Sequence, residues 1–300
     1  MSVVSNLLYL LVLLCVGFLA RRVGLVDDRR RDLLTSLAFY VALPALVFTS
    51  TASTSLETVF DPRLLVGVWA VLLAVAGVGW VVHGRKASSV RGVAVVQSYH
   101  CNLGFLGLPI TAATFGGVVT AKASLVLGAG ILTQVPLTLM VLSAVNDADA
   151  DLRGRLREVF TNPVLAALAV GLCCAALSVH VPDAVTAGLG VVSELALPVA
   201  LVAVGASLSF DGETLDLPTV GSVVFLKMAL MPAVAFGVFT LLAADPSTTR
   251  AGVVMLAMPT AVSTFVYASE LGGDADLASV NVFVTTLASV GTLLALFRFV

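Results

Sequence analysis

The sequence predicts an all-α integral membrane protein whose ten transmembrane helices form two inverted five-helix repeats. Three observations carry that prediction: a composition too apolar for water, ten separate apolar runs, and proline-broken segments that recur at a nearly constant offset. Of 300 residues, 59% are hydrophobic and 11% charged, with a mean hydropathy of +1.07. A soluble domain carries about 45–50% apolar and about 25% charged residues. The surplus apolar surface requires lipid, and a hydrocarbon core about 30 Å thick takes about 20 apolar residues per helical crossing. That length leaves short loops and no sizeable soluble domain.

The apolar runs are 2–20, 33–54, 63–83, 92–113, 121–144, 161–179, 185–208, 217–243, 249–270 and 279–299. Lipid forces every backbone polar group to be satisfied within the segment, so a continuous apolar run reads as helix. Barrel strands would alternate and be shorter. The first run is followed, not preceded, by arginines, the reverse of a cleavable signal peptide. It reads as a retained helix.

Orientation follows from Lys and Arg in short loops. Arg21, Arg22, Arg29, Arg30, Arg31, Arg85, Lys86, Arg91, Arg153, Arg155 and Arg157 fall on one side. Only Arg63, Lys122, Arg250 and Arg298 fall on the other. The richer side is expected to be cytoplasmic, which places the chain in the cell membrane with both termini outside.

The halves resemble each other. Leu43-Pro44-Ala45 is answered by Leu197-Pro198-Val199, 154 residues on. Leu106-Gly107-Leu108-Pro109-Ile110 is answered by Leu256-Ala257-Met258-Pro259-Thr260, 150 residues on, and Asn6-Leu7-Leu8 loosely by Asn162-Pro163-Val164 at 156. Each repeat holds an odd number of spans, so the second must insert upside down, a transporter signature. The expected units are 1–144, a short cytoplasmic linker 145–160, and 161–300.

Several function classes are excluded. Net charge is −2, and without a basic patch with interleaved aromatics nucleic-acid binding has no support. Cys15, Cys101, Cys173 and Cys174 lie in apolar stretches without disulfide or metal spacing, so no cofactor or metal is expected. There is no His-Glu-x-x-His, no phosphate-binding glycine loop and no paired intramembrane Asp, so the chain does not read as an enzyme. A retinal-bearing lysine would require a smaller bundle and more aromatics.

The fourth run contains Gln97, Asn102, Gly104, Gly107 and Pro109. Proline removes a donor and clashes with the preceding turn, and glycine weakens a helix further. Freed backbone groups at membrane depth must be buried in protein or line a cavity. Asn102, two turns before Pro109, can donate and accept at once, which suits an anion or an ion; a packing kink with Asn102 bonded to a neighbour is the plainer alternative. The ninth run supplies Pro259, Thr260, Ser263 and Thr264, whose hydroxyls either face a cavity or bond back to carbonyls one turn earlier. Half-helix N-termini favour anions. Lys227 lies about 15 Å into the eighth run at about 1.5 Å per residue, where a lysine costs at least about 2.5–3.5 kcal/mol. Glu194 sits at a similar depth in the seventh run, so a Glu194–Lys227 pair is geometrically open. It would either fix two helices or, with Gln97 and Gln134, serve proton or ion coupling.

These residues also carry a resemblance. Phe39-Tyr40-Val41-Ala42-Leu43-Pro44-Ala45-Leu46 and Asn102 through Pro109 resemble the second- and fourth-helix motifs of the auxin efflux carrier family. Asn162-Pro163, Leu197-Pro198-Val199-Ala200-Leu201 and Gly205-Ala206-Ser207-Leu208 are similar to its sixth and seventh helices. Ala257-Met258-Pro259 and Phe265-Val266-Tyr267-Ala268-Ser269-Glu270 are similar to the ninth-helix segment of the plant PIN carriers. The resemblance covers nearly the whole chain. It implies the fold shared with bile acid:sodium symporters, with a scaffold domain, a mobile transport domain and crossover helices 4 and 9, and it implies export or exchange of small carboxylates. Asn102, Pro109, Pro259 and Lys227 are the positions carried over. Two features depart from the family: residues 145–160 are short where many plant members have a long loop, and His100-Cys101 stand where smaller residues are expected.

The expectation is therefore a secondary carrier of a small organic anion embedded in lipid. Asn102, Gly104, Pro109, Pro259, Ser263, Thr264 and Lys227 form its substrate site. A sodium-coupled symporter and a non-transporting receptor are the alternatives, and the number of copies is left open, a homodimer included.

Overall fold

A computed structural model describes residues 3–148, 152–208 and 216–299, with backbone alone for 3–8, 152, 153 and 156. Residues 149–151 of the expected linker, the Arg153 side chain and Ser2 lie outside the described residues. All regular structure among the described residues is helical, and seven helices are long and apolar enough to cross a membrane.

Each apolar run is occupied by a helix or by two pieces of one. In chain order these are α1 (Val3–Arg22), α2 (Asp28–Ala52), α3 (Pro62–Val82), α4 (Ser88–Tyr99), α5 (Leu103–Thr114), α6 (Gly117–Asn146) and α7 (Leu152–Phe160). They continue with α8 (Pro163–Ala176), α9 (Asp183–Ser207), α10 (Leu217–Leu241), α11 (Pro246–Leu256), α12 (Ser263–Glu270) and α13 (Ala275–Leu296). The fourth and ninth runs are the interrupted ones: α4 stops before α5, and α11 before α12.

The prolines act differently from a simple break. Pro44, Pro109 and Pro232 each stand two residues after a π turn, at Ala38–Ala42, Leu103–Gly107 and Leu226–Leu230. A wide turn of this kind relieves the clash between a proline ring and the carbonyl four residues earlier. Gly107 and Leu108 accordingly bond five residues back, to the carbonyls of Asn102 and Leu103. The chain leaves the helix at His100–Asn102, well before Pro109, and at Ala257–Val262 around Pro259. Pro109 itself lies inside a helix, which corrects the expectation that it marks the break.

Two helix pairs pack by the same device. A Cβ on Gly17 of α1 would strike the Val202 carbonyl of α9, and one on Gly205 would strike the Leu14 carbonyl. A Cβ on Gly171 of α8 would strike Thr51 Oγ1 and lie 3.3 Å from the Phe48 carbonyl of α2. Small residues let membrane helices approach this closely. Gly171 follows Gly17 by 154 residues, and Val202 follows Phe48 by the same 154.

Several charged residues near the helix ends are paired. At one end Arg155 pairs with Glu270, Lys86 with Asp216, and Asp274 N–H donates to the Ser89 carbonyl. At the other, Arg63 donates to the Ala243 carbonyl and Lys122 pairs with Asp245. Lys122, at the start of the fifth run, lies in the first turns of α6 and is 4% exposed.

Candidate functional site where the two interrupted helices meet

The breaks of α4/α5 and α11/α12 lie against each other. Asn102 N–H donates to the Pro259 carbonyl at 2.8 Å, and Ala261 N–H to the His100 carbonyl at 3.2 Å, so Cys101 and Thr260 form an antiparallel bridge. Backbone groups that leave a helix inside a membrane need partners, and each break supplies them to the other. Further bonds hold the junction. Gln134 of α6 accepts from Cys101 N–H, and Thr260 Oγ1 donates to the Gln97 carbonyl.

A cavity of about 200 Å³ opens beside this junction, with His100, Cys101, Asn102, Gly104, Gln134 and Ser263 among its walls. Asn102 is 3% exposed and caps α5: its Oδ1 accepts from Phe105 N–H at 3.2 Å, which fixes the amide so that Nδ2 is the remaining group. Nδ2 has no partner. An unsatisfied buried donor costs about 1–3 kcal/mol, a cost that an incoming acceptor removes.

A second cavity of about 430 Å³ lies toward the Arg155 end and shares Phe39, Ile131, Val135, Asn162 and Tyr267 with the first. Arg155 and Glu158 stand at its mouth. The two cavities are thus neighbours, one bearing Arg155 and the other Asn102.

Of the expected site residues, Asn102, Gly104, Ser263 and Gln134 face the cavity. Ser263 is exposed to it. Pro109, Pro259, Thr264, Gln97 and Lys227 stand behind the wall. Thr264 Oγ1 donates to the Ala261 carbonyl at 2.6 Å and accepts from Gln97 Nε2 at 3.0 Å. Gln97 is fully engaged, since Nε2 also reaches the Ala278 carbonyl and Oε1 accepts from Asn281 Nδ2. Gln97 therefore clamps α4 to α12 and α13. Lys227 is fully buried on the π turn of α10, and its Nζ contacts the Tyr99 carbonyl, Cys101 Sγ and Met231 Sδ.

Glu194 does not meet Lys227. It is exposed at the kink of α9, and among the described residues no ion pair joins the two. Equal depth in antiparallel runs did not bring them together because α9 packs with α1 and α2, whereas α10 packs with α3, α4 and α13. Tyr267 also lines the cavity, and His100 and Asn162 line it without having been expected as site residues. Asn162 carried two signals, its repeat match to Asn6 and its place in the Asn162-Pro163 motif. His100 and Cys101 stood out only as departures from a motif.

A family model described as "Membrane transport protein" matches residues 2–297. The chain belongs to that family. This membrane transport protein is 26% identical to an "Uncharacterized transporter" of Methanothermobacter thermautotrophicus, over 98% of the chain and 97% of the relative. It is 24% identical to a "Putative malonate transporter" of Rhizobium meliloti, over 95% and 91% respectively. The "Uncharacterized transporter MJ1031" of Methanocaldococcus jannaschii is 23% identical over 94% of both chains. As a membrane transporter it takes a small-molecule substrate across lipid, and its helices give it a multi-pass placement.

Proposed function

We propose that this membrane transport protein is a secondary carrier of a small organic anion of the carboxylate class, working by alternating access at the junction of α4/α5 with α11/α12. The observation that carries the reading is the Asn102 amide: a buried donor without a partner, facing a cavity at the start of α5. The start of α12 at Ser263 faces the same cavity. Half-helix N-termini at a broken crossing favour an anionic group through aligned N–H dipoles. A dicarboxylate of malonate size suits a cavity of about 200 Å³, and the printed name of the Rhizobium relative agrees with it.

The same reading treats residues 1–144 and 161–300 as inverted repeats, ten spans in all, with α4/α5 and α11/α12 as crossover helices. The shared 154-residue offset of the Gly17–Val202 and Gly171–Phe48 contacts supports it. So does the pairing of the two breaks. With the arginine-rich end in the cytoplasm of a cell-membrane carrier, the Arg155 vestibule makes this an inward-open form.

Uptake of a panel of carboxylates into proteoliposomes, under imposed proton, sodium and voltage gradients, tests the reading. Saturable uptake of a small carboxylate is expected, lost in Asn102→Asp. Absence of carboxylate flux under every gradient, or undiminished flux in Asn102→Asp, would overturn it.

A further inference from the structure

Lys227 presents an unusual problem of charge. It is fully buried at membrane depth, and none of the ion pairs among the described residues includes it. Its three donor directions are all taken: the Tyr99 carbonyl at 3.1 Å, Met231 Sδ at 3.1 Å and Cys101 Sγ at 2.6 Å. Of those three, only Cys101 can carry a compensating negative charge. The charged side chains of the neighbouring elements are engaged or exposed elsewhere. Lys122 holds Asp245, Arg63 the Ala243 carbonyl and Arg91 the Trp80 ring, Arg250 lies over the Phe115 ring, and Asp276 is exposed. Two other titratable groups face the pair, Tyr99 and His100, and both bond to Thr138 Oγ1.

Cys101 has room for two protonation states. As a thiolate it accepts from Lys227. As a thiol its S–H has two carbonyls to donate to, those of Tyr99 at 3.4 Å and Leu256 at 3.5 Å. It is also among the residues lining the cavity that holds the Asn102 amide and is 2% exposed, whereas Lys227 is fully buried, so it is the member of the pair nearer the cavity.

We infer that Cys101 and Lys227 form a proton-coupling pair, in which Cys101 takes up a proton from cavity water when the substrate anion binds and returns it when the anion leaves. The inference rests on the carrier reading above. Without substrate the pair is thiolate with ammonium: three acceptors around Nζ match the three N–H groups of an ammonium, and the thiolate keeps the buried pair net neutral. A carboxylate arriving beside Asn102 brings negative charge next to the thiolate. The thiolate then accepts a proton from water, the hydroxide left behind is neutralised by solvent protons, and Lys227 remains an ammonium facing the anion. Anion and proton thus bind with positive coupling, and linkage makes that coupling reciprocal. The pair turns anion transport into anion–proton symport.

Two measurements on the full chain in liposomes test this. In a variant with Cys15, Cys173 and Cys174 replaced by serine, alkylation of Cys101 by N-ethylmaleimide is followed against pH. Only the thiolate reacts, so Lys227→Met is expected to slow alkylation near neutral pH by about tenfold or more. An unchanged rate overturns the pair. In the second, malonate is added to the protein in weakly buffered solution and proton uptake is read with a pH dye. The parent is expected to take up protons as malonate binds, and Cys101→Ser to take up none per malonate bound, with binding followed by thermal shift and malonate raised to offset any weaker affinity. Uptake that persists in Cys101→Ser, or that disappears only in His100→Gln, overturns the assignment. Failure of the parent to bind any carboxylate would instead sink the carrier reading, while the alkylation result still decides whether the thiolate–ammonium pair exists.

Discussion

The backbone N–H of Asn102 donates to the carbonyl of Pro259 at 2.8 Å. One bond thus joins residues from the two interrupted helices and sets the Asn102 side chain at the cavity. Proline has no N–H, so Pro259 offers the break only its carbonyl, and Asn102 both uses that acceptor and caps its own helix.

Asn102→Asp keeps an oxygen for the Phe105 cap and replaces the free donor with negative charge. Binding of a carboxylate is expected to fall by about 1.5–3 kcal/mol or more, the range for a hydrogen bond to a charged group. The new carboxylate is buried, so the thermal unfolding midpoint of the detergent-solubilised protein is also expected to fall, and binding is compared well below the variant's midpoint.

Gln97→Leu removes a side chain whose bonds reach Thr264, Ala278 and Asn281. Asn281 Oδ1 already lacks a partner, and the substitution orphans its amide nitrogen as well. A stability loss of about 2–4 kcal/mol is expected from two or three unsatisfied buried groups. The midpoint of thermal unfolding measures it, and an unchanged midpoint would show that the clamp is not needed.

Gly17→Ala and Gly171→Ala push a methyl into the Val202 carbonyl and into Thr51 respectively. Each is expected to cost about 1–3 kcal/mol by overpacking. Gly237→Ala, in α10 where an added Cβ meets open space, is expected to be neutral or to gain up to about 1 kcal/mol from helix propensity. Similar costs at the two repeat-related pairs would support their equivalence; a neutral Gly171→Ala would count against it.

Acid should loosen the end opposite Arg155. Burial opposes ionisation of Asp245, but bonds from Ser247, Thr248 and Lys122 hold its carboxyl well below the usual carboxylate range. A depressed folded value means the stabilisation is present above the unfolded pKa, about 3.9 for Asp, and is lost as pH falls through the folded value. Unfolding midpoints should therefore be flat from neutral pH to about pH 5 and decline below about pH 4. Asp245→Asn should flatten that acid decline. It should also lower the neutral midpoint, because Lys122, 4% exposed, loses its ion-pair partner.

The ten runs, their boundaries to within a few residues, and both interruptions were legible in the sequence. Hydrophobic partition and proline backbone chemistry act locally, so composition and spacing report them directly. That Asn102 sits buried at a helix interruption was legible for the same reason, since weakened helix at membrane depth frees backbone groups that need partners.

The tertiary structure decided the rest. It moved the fourth-run break from Pro109 to His100–Asn102, because a π turn absorbs the proline. It gave Lys227 to Cys101 and left Glu194 exposed, although depth along the runs suggested a pair. It set Gln97 and Thr264 behind the cavity wall and brought His100 and Asn162 onto it. Such outcomes depend on which helix faces which, and helices of nearly uniform apolarity carry no stripe that says so. The contacts that choose the partners are close approaches at single small residues, as at Gly17 and Gly171, and their meaning appears only when the opposing backbone is in place.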